Sequence, residues 1–270
     1  MNIVITGGTR GIGRGMAEEF LRRGHNVVIS GRSQSAVSDV VTALTGIGSG
    51  QAAGAVAEVA SLADQQSLWN LARDRFGSVD IWINNAGITN TKQKLAELPA
   101  DQIGAVISTN LTGLANGCKV ALSGMLPHGQ GKIFNMEGFG SDGLTQEGMT
   151  LYGATKRAVR YMTASLAREY ADSGLVIANL SPGIVVTDFL VRDLYAHDQS
   201  ELNKRRKFLS LLADRVETVA PALVDGMLRL EKNGGAVRWM TPMQALGRVL
   251  MSPFRKRDPF SNYQETSSTI

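Results

Sequence analysis

The chain has 270 residues, of which 43% are apolar and 19% charged, and its formal net charge is +4; this composition is typical of a soluble globular protein and excludes a disordered one. One cysteine and three widely separated histidines exclude a disulfide framework and a metal-binding motif, so no metal is predicted. The basic excess is too small and too scattered to indicate a nucleic-acid partner, and no apolar run is long enough to span a membrane.

Short β-branched runs alternate with longer amphipathic runs along the chain. In chain order the predicted elements are strand Asn2–Thr6, helix Gly11–Arg23, strand Asn26–Ser30, helix Ser38–Leu44, strand Ala52–Val59, helix Asp64–Phe76, strand Val79–Asn84, helix Asp101–Leu126, strand Lys132–Asn135, helix Leu151–Ala171, strand Leu175–Leu180, helix Val216–Glu231 and strand Ala236–Met240. This alternation, with nearly continuous apolar strands, predicts an α/β fold with a doubly wound parallel sheet of about seven strands and helices on both faces.

The sequence contains neither an internal repeat nor a linker, which predicts one domain over residues 1–250 and a C-terminal tail over residues 251–270. Residues 183–213 form a long, mixed segment between a strand and the next clear helix. Segments of this length in a compact domain commonly act as lids or binding loops, so we predict a substrate lid there. The first strand begins so early that we expect no leader peptide before it.

A glycine-rich turn with the sequence TGGTRGIG, residues 6–13, joins the first strand to the first helix. Glycines let the backbone approach a pyrophosphate, and the free N–H groups of the helix N-terminus bind its charge. The turn therefore predicts dinucleotide binding in a Rossmann-like fold, and a tight structural turn is the alternative. The predicted cofactor contacts in this turn are Gly7, Thr9, Arg10, Gly11, Ile12 and Gly13.

The charges near the second strand indicate which dinucleotide binds. NAD-binding folds of this type place a carboxylate after the second strand to bind the ribose hydroxyls, whereas residues 26–38 contain no Asp or Glu. Arg32 and Ser33 follow that strand and Arg10 lies in the glycine-rich turn, and guanidinium groups bind a 2′-phosphate well. We therefore predict NADPH as the cofactor; two solvated surface arginines are the alternative interpretation.

A tyrosine and a lysine are spaced four residues apart at the start of a predicted helix, as Tyr152 and Lys156. Residues at this spacing share one helix face, so the phenol and the ammonium group are expected to lie side by side. A neighbouring cation favours phenolate and would lower the pKa of the tyrosine. A tyrosine tuned in this way can donate a proton to a carbonyl oxygen while hydride reaches the carbon. Alone, the pair also suits an ordinary solvated helix face.

Together, these motifs make the sequence resemble the short-chain dehydrogenase/reductase family. The turn at residues 6–13 matches the cofactor turn of that family, and residues 84–87 match its Asn-Asn-Ala-Gly motif. Asn110 matches the asparagine of its catalytic set, and residues 181–187 match the segment that contacts the nicotinamide. The Tyr–Lys pair matches its catalytic pair, and the matches follow the family order along the chain.

The resemblance implies a role for each matched residue. Tyr152 would donate the proton, Lys156 would bind the nicotinamide ribose and tune Tyr152, and Asn110 would hold a water in a proton relay. Glu58 lies where the family has an Asp near the adenine. Besides Tyr152 and Lys156, the implied cofactor contacts are Asn85, Ala86, Gly87, Pro182 and Gly183, with Ile184 and Thr187 at the nicotinamide carboxamide. The family also implies a homodimer or homotetramer, built on the helices Asp101–Leu126 and Leu151–Ala171.

One position departs from the family pattern. The family has a serine after the fifth strand that binds the substrate oxygen, and here Glu137 is expected to occupy that position. An ionised carboxylate would repel a developing alkoxide, so Glu137 would help only when protonated. Ser141, a little further along the loop, would be able to reach the site instead. We hypothesise that Glu137 or Ser141 replaces the missing serine.

The residues around this departure resemble the chlorophyll b reductases of the non-yellow-colouring type, which carry an Asn-Met-acid-Gly run like residues 135–138. Residues 216–220 and 234–242 resemble their C-terminal segments. This resemblance implies that NADPH reduces the 7-formyl group of chlorophyll b, or of chlorophyllide b, to give 7-hydroxymethyl chlorophyll a. A substrate of this size needs a broad apolar cleft. Candidate lining residues, each of which would also suit the core, are Phe139, Met149, Leu151, Phe189, Leu190, Leu194, Tyr195, Phe208, Leu209 and Leu212.

Two other functions stay open at this point: reduction of another large apolar carbonyl compound, and NADPH binding without catalysis. The basic stretches Lys204–Lys207 and Arg255–Arg257 would suit peripheral contact with an anionic membrane, or form ordinary solvated faces. The expected location is the cytoplasm for a bacterial homologue and the chloroplast for a trimmed plant protein.

Overall fold

The computed structural model describes residues 1–188, 190, 191, 199–252 and 257–261. Several residues singled out in the sequence therefore lie outside the described residues. They are Phe189, Leu194, Tyr195, Arg255 and Lys256, together with the side chains of Lys204 and Arg205.

A seven-stranded parallel sheet forms the centre of the molecule, with the strand order β3-β2-β1-β4-β5-β6-β9. A separate pair, β7 and β8, is also parallel. The strands are β1 (Asn2–Ile5), β2 (Asn26–Gly31), β3 (Ala52–Val56), β4 (Ile81–Asn84), β5 (Lys132–Met136), β6 (Val176–Ser181), β7 (Val185–Val186), β8 (Asp214–Arg215) and β9 (Ala236–Arg238). Because the order reverses at β1 and β4, the carboxyl ends of these strands border the crevice in which such sheets bind ligands.

Helices cover both faces of this sheet. The helices are α1 (Gly11–Arg22), α2 (Gln34–Leu44), α3 (Leu62–Phe76), α4 (Ala100–Ile107), α5 (Gly113–Met125), α6 (Thr150–Glu169), α7 (Gln199–Leu212), α8 (Val216–Arg229) and α9 (Pro242–Met251). Side chains alternate along β1, so that Ile3 and Ile5 lie in one core beneath α1, α2 and α8, while Val4 lies in the other beneath α3, α5 and α6. The predicted doubly wound α/β fold is thus confirmed.

The helix predicted over Asp101–Leu126 is interrupted in the structure. A π-helical turn, Ser108–Thr112, separates α4 from α5. Such turns add one residue to a helical repeat and occur frequently at functional sites. Its central residue is Asn110, whose side chain is buried. The sequence therefore placed this helix correctly and missed the irregular turn that orients Asn110.

The predicted lid, residues 183–213, contains β7 and α7, and the C-terminal residues 257–261 are anchored beside it. Asp214 in β8 is buried and accepts hydrogen bonds from Arg248 of α9 at 2.6 Å and from Arg257. Arg206 of α7 forms an ion pair with Asp258 at 3.1 Å. Two of the cations considered for membrane contact, Arg206 and Arg257, are therefore engaged within the chain. Within the described ranges, no helix combines the length and the apolar character that crossing a membrane requires.

Candidate active site

The glycine-rich turn is held against the end of β4 by side chains of both segments. Asn85 Nδ2 donates to the carbonyl oxygens of Thr6 (2.9 Å) and Gly7 (3.0 Å). Thr6 Oγ1 in turn accepts from the backbone N–H groups of Asn85 (3.0 Å) and Ala86 (3.1 Å). A Cβ at Gly13 would lie 2.5 Å from both Asn85 Nδ2 and Gly7 O, so only glycine fits there. In this structure Asn85 and Thr6 shape the cofactor turn through these bonds.

The first turn of α1 suits an anionic group. No side chain caps the helix at Arg10, and its first turn contains no acidic residue. The helix therefore begins without a capping side chain at its positive dipole end, where leading N–H groups are available to bind an anion. Gly7 and Gly11 adopt left-handed φ angles of 67° and 55°, which glycine tolerates. These features fit the pyrophosphate of a dinucleotide.

The residues predicted to select the nucleotide lie at the rim of this turn. Arg10 and Arg32 are both exposed, one before α1 and the other after β2. Thr9 packs near Gly31, where a Cβ would lie 2.5 Å from Thr9 Cγ2. Ser33 caps α2 by accepting from Ala36 N at 3.4 Å.

The last residue predicted near the adenine is Glu58, which is exposed after β3. Its Oε1 accepts from the N–H group of Ala60 at 3.3 Å, and its own N–H group donates to Asp64 Oδ2 at 2.8 Å. Its predicted contact with the adenine stays a prediction.

Tyr152 and Lys156 lie on one face of α6, as their spacing predicts. Both side chains are buried, and Lys156 Nζ lies 5.8 Å from the centre of the Tyr152 ring. Lys156 Nζ donates to the carbonyl oxygen of Met136 at 3.0 Å, which fixes the amine at the end of β5. Burial lowers the pKa of Lys156 from 10.5 to about 8, against the negative charge of Glu137, which raises it.

The pKa of Tyr152 changes in the direction opposite to our expectation. Burial raises the pKa of this phenol above its ordinary value of 10.0. The prediction that Lys156 lowers it is therefore wrong for the protein alone, because desolvation of the phenolate outweighs the neighbouring cation. At neutral pH the hydroxyl carries its proton, as a proton donor must.

Asn110 lies beside this pair and ties three segments together. Its Nδ2 donates to Ile88 O (2.9 Å) and to Thr155 Oγ1 (3.0 Å), and its Oδ1 accepts from Ile88 N (2.9 Å). A Cβ at Gly87 would lie 3.4 Å from both Asn110 Oδ1 and Lys156 Nζ, so the three residues meet. A cavity of ≈ 10 Å³ borders Asn110 and Lys156, which is about the space that one water needs. The water-holding role of Asn110 stays a prediction.

The residue that faces the tyrosine hydroxyl is Gly138. A Cβ at this position would lie 2.5 Å from Tyr152 Oη and 3.2 Å from Lys156 Cε. The Cβ direction at position 138, one residue after Glu137, thus points at the hydroxyl, and occupation of the serine place by Glu137 stays a prediction. Glu137 is buried and its Oε1 lies 3.8 Å from Arg160 Nε on α6.

Ser141, the other candidate to replace the serine, is engaged within its own loop. Its hydroxyl donates to Gly138 O at 2.7 Å and accepts from Gly138 N at 3.0 Å. Its single proton is thus used in the turn that follows β5. Replacement of the serine by Glu137 or Ser141 stays a prediction, and normal turnover in both Glu137→Ala and Ser141→Ala would end it.

The segment after β6 passes over the cofactor turn. A Cβ at Gly11 would lie 3.3 Å from Thr187 Cγ2. Gly183 adopts a φ of 69° and lies near Met240. Ile184 packs against a small core within the predicted lid, formed by Val186, Val191 and Ala213. Pro182 is half-buried at the start of this segment. The contacts of this segment with the nicotinamide stay predictions.

The apolar candidates for a substrate cleft separate into different environments. Leu151 packs with Leu98 and Val106 in a small core and is not available to line a cleft. Met149 is buried. Phe208 on α7 is 57% exposed. Half-buried positions are found for Phe139, Leu190, Leu209 and Leu212.

Sequence reasoning missed Asn90, which anchors the helix that carries the tyrosine. Its Oδ1 accepts from Tyr152 N at 3.2 Å, and its Nδ2 donates to Gly148 O at 2.8 Å. It also missed Thr155, whose hydroxyl donates to Tyr152 O at 2.7 Å. The only available signal was the position of each residue beside a recognised motif.

The glycine-rich turn, the clamped Asn-Asn-Ala-Gly segment and the Tyr–Lys face define a class of protein. The chain belongs to the short chain dehydrogenase family, whose sequence model matches residues 1–196, and it is an oxidoreductase of that family.

Among its relatives, the chain is 37% identical to "Chlorophyll(ide) b reductase NOL, chloroplastic" of Oryza sativa subsp. japonica, over 92% of this chain and 74% of that one. It is 35% identical to the protein of the same description from Arabidopsis thaliana, over 92% of this chain and 72% of that one. A solved actinorhodin polyketide ketoreductase with NADPH has a TM-score of 0.80 and 25% identity, and the match covers 90% of this chain and 96% of that one.

Proposed function

We propose that this chain reduces the 7-formyl group of chlorophyll b, or of chlorophyllide b, to a 7-hydroxymethyl group with NADPH. The observation that carries the proposal is the buried Tyr152–Lys156 pair facing Gly138, combined with 37% identity to a chlorophyll(ide) b reductase. An aldehyde needs only positioning, a hydride and a proton to become an alcohol. The site supplies a positioned proton donor.

Different residues of the site would bind the cofactor, donate the proton and stabilise the resulting phenolate. NADPH, when bound, supplies the hydride for the formyl carbon. Tyr152 donates its phenolic proton to the carbonyl oxygen, and the positive charge of Lys156 favours the phenolate that remains. Asn110 fixes the π-helical turn against Ile88 and Thr155 and so holds the wall of the site. The uncapped first turn of α1 and the glycines around it would bind the pyrophosphate.

We expect Arg32→Ala to weaken NADPH binding about tenfold and to leave NADH binding unchanged, because the guanidinium would contact only the 2′-phosphate. Dissociation constants from the quenching of protein fluorescence by each nucleotide measure this effect. Arg22→Ala, an exposed arginine that pairs with Glu18 and Glu19 on α1, is the matched control. Equal weakening for both nucleotides would refute NADPH selection by Arg32.

Pigment conversion tests the proposed reaction directly. Purified protein is incubated with NADPH and either detergent-solubilised chlorophyll b or chlorophyllide b, and the pigments are separated by chromatography with absorption spectra. The expected product carries a 7-hydroxymethyl group and forms together with NADP⁺. No product in the presence of bound NADPH would reject the pigment and favour another large carbonyl substrate. No turnover of any aldehyde would favour NADPH binding without catalysis.

We also propose that the active protein is a homodimer or homotetramer built on α5 and α6. A groove on the outer face of these helices is lined by apolar residues, among them Leu122, Leu126 and Met162. Tyr161, also on α6, is 74% exposed. A monomer by light scattering at micromolar concentration would refute this assembly.

The peripheral membrane contact stays a prediction, and absence of co-sedimentation with anionic liposomes at low salt would reject it.

A further inference from the structure

The buried carboxylate of Glu137 has few partners of its own. Its side chain is 6% exposed, and within the described residues Oε1 accepts no hydrogen bond. The ion pair with Arg160 is long at 3.8 Å, and the arginine side chain is 37% exposed. An ionised carboxylate in such a place is costly unless another charge compensates it. A buried carboxylate at Glu137 therefore needs a further cation near it.

Two cations that could compensate Glu137, namely Lys156 and Arg160, lie one helical turn apart on α6. Tyr152, Lys156 and Arg160 are spaced by four residues and share one face of the helix. The backbone N–H of Glu137 donates to Leu180 O at 2.8 Å, which fixes the backbone between β5 and β6. The Lys156 amine donates to the carbonyl oxygen of Met136, the residue immediately before Glu137. The carboxylate thus lies 3.8 Å from the partly exposed Arg160, and its residue directly follows the one whose carbonyl binds the buried Lys156 amine.

The groups that face the Lys156 amine leave Glu137 as its counter-charge. On α6 they are the neutral phenol of Tyr152 and the like charge of Arg160. From the β4 end and the π-helical turn they are Gly87 and Asn110, which are uncharged. Burial lowers the pKa of this amine, and the carboxylate of Glu137 opposes that shift and raises it.

We propose that Glu137 is a positioning residue whose carboxylate keeps the buried Lys156 amine protonated in the working enzyme. The carboxylate then does not replace the missing serine, since it acts on the lysine and not on the substrate. A protonated amine holds the ribose hydroxyls as a donor and favours the phenolate of Tyr152. This consequence for cofactor and catalysis rests on the proposed function, whereas the charge coupling itself does not.

The coupling is measured by NMR titration of ¹³Cε-labelled lysine in the protein alone, with the Lys156 signal assigned from Lys156→Arg. We expect a midpoint at about pH 8 in the unaltered protein and about one pH unit lower in Glu137→Gln, because an opposite charge is removed. The control is Glu147→Gln. Glu147 lies in the same loop as Glu137, is exposed and pairs with Lys94, so its replacement should leave the Lys156 midpoint unchanged. Equal midpoints in Glu137→Gln and the unaltered protein would overturn the proposal.

Arg160→Gln changes the same midpoint in the opposite direction. Removing this partly exposed cation removes a like charge from Lys156 and leaves Glu137 to act on the amine alone, so the midpoint should rise. This variant keeps the proposal testable if Glu137→Gln fails to fold, since a midpoint that falls or stays constant would also overturn it.

NADPH affinity measured against pH separates this inference from the proposed function. At pH 8 we expect Glu137→Gln to bind NADPH about fivefold more weakly, because only the protonated fraction of Lys156 is competent. Near pH 6 both proteins should bind equally, whereas a merely structural defect weakens binding at every pH. If NADPH fails to bind either protein, the cofactor assignment is wrong, and the lysine midpoints still decide the role of Glu137.

Discussion

Replacing Tyr152 by Phe should lower the turnover of an aldehyde substrate about a thousandfold, because the variant lacks the proton that neutralises the developing alkoxide. The hydroxyl lies against Gly138 and no larger group is lost, so the fold should be unchanged and NADPH should still bind. Single-turnover oxidation of NADPH, followed by its absorbance, measures the chemical step without product release.

The matched control is Tyr161→Phe on the same helix. Tyr161 is 74% exposed and lies outside the site, so its turnover should equal that of the unaltered protein. Retention of more than about a tenth of the activity in Tyr152→Phe would exclude this residue as the proton donor. Loss of activity in both variants would point to a change in α6 as a whole.

Introducing a methyl group at Gly138 should lower turnover about a hundredfold, because misplacement of a reacting group by about 1 Å has effects of this size. The added Cβ of Gly138→Ala would lie 2.5 Å from Tyr152 Oη and would push the hydroxyl away from its present place. The backbone φ at Gly138 is not left-handed, so we expect a small loss of stability. Turnover and the thermal unfolding midpoint of the same preparation separate the two effects.

Gly104→Ala on α4 is the control for the added methyl group, since a Cβ there meets no atom within 4 Å. It should retain full turnover and gain slight stability from helix propensity. Gly138→Ser places the family's serine at the position that faces Tyr152. Turnover in Gly138→Ser above that of the unaltered protein would contradict the steric argument, since the serine shares the Cβ.

The features that depend on neighbours in sequence could be predicted from sequence. The strand–turn–helix at residues 6–13 and the shared face of Tyr152 and Lys156 follow from glycine chemistry and helical periodicity. The π-helical turn could not be predicted, because the apolar spacing of residues 101–126 fits a continuous helix. Three hydrogen bonds of Asn110 to Ile88 and Thr155, distant in sequence, accompany the irregular turn.

Gly138 shows a second limit of pattern reading. Glu137 and Ser141 carry groups that can form hydrogen bonds with a substrate, so the sequence pattern favours them over a glycine as a replacement for the serine. Which of these positions faces Tyr152 depends on the direction in which the chain leaves β5. That direction is a property of the folded backbone, and so is the raised pKa of Tyr152, which follows from its burial.

The clamp that Asn85 and Thr6 form on the glycine-rich turn has a consequence for the kinetics of nucleotide exchange. The bonds that fix the turn are all formed within the chain, so we expect the entropy of ordering it to be lost during folding and not during association. The amide protons bonded to Thr6 should therefore exchange slowly with solvent even in the empty protein. The association rate of the nucleotide would then be set by diffusion to the ordered turn. The dissociation rate of the cofactor would be set by the segment after β6, which passes over the turn.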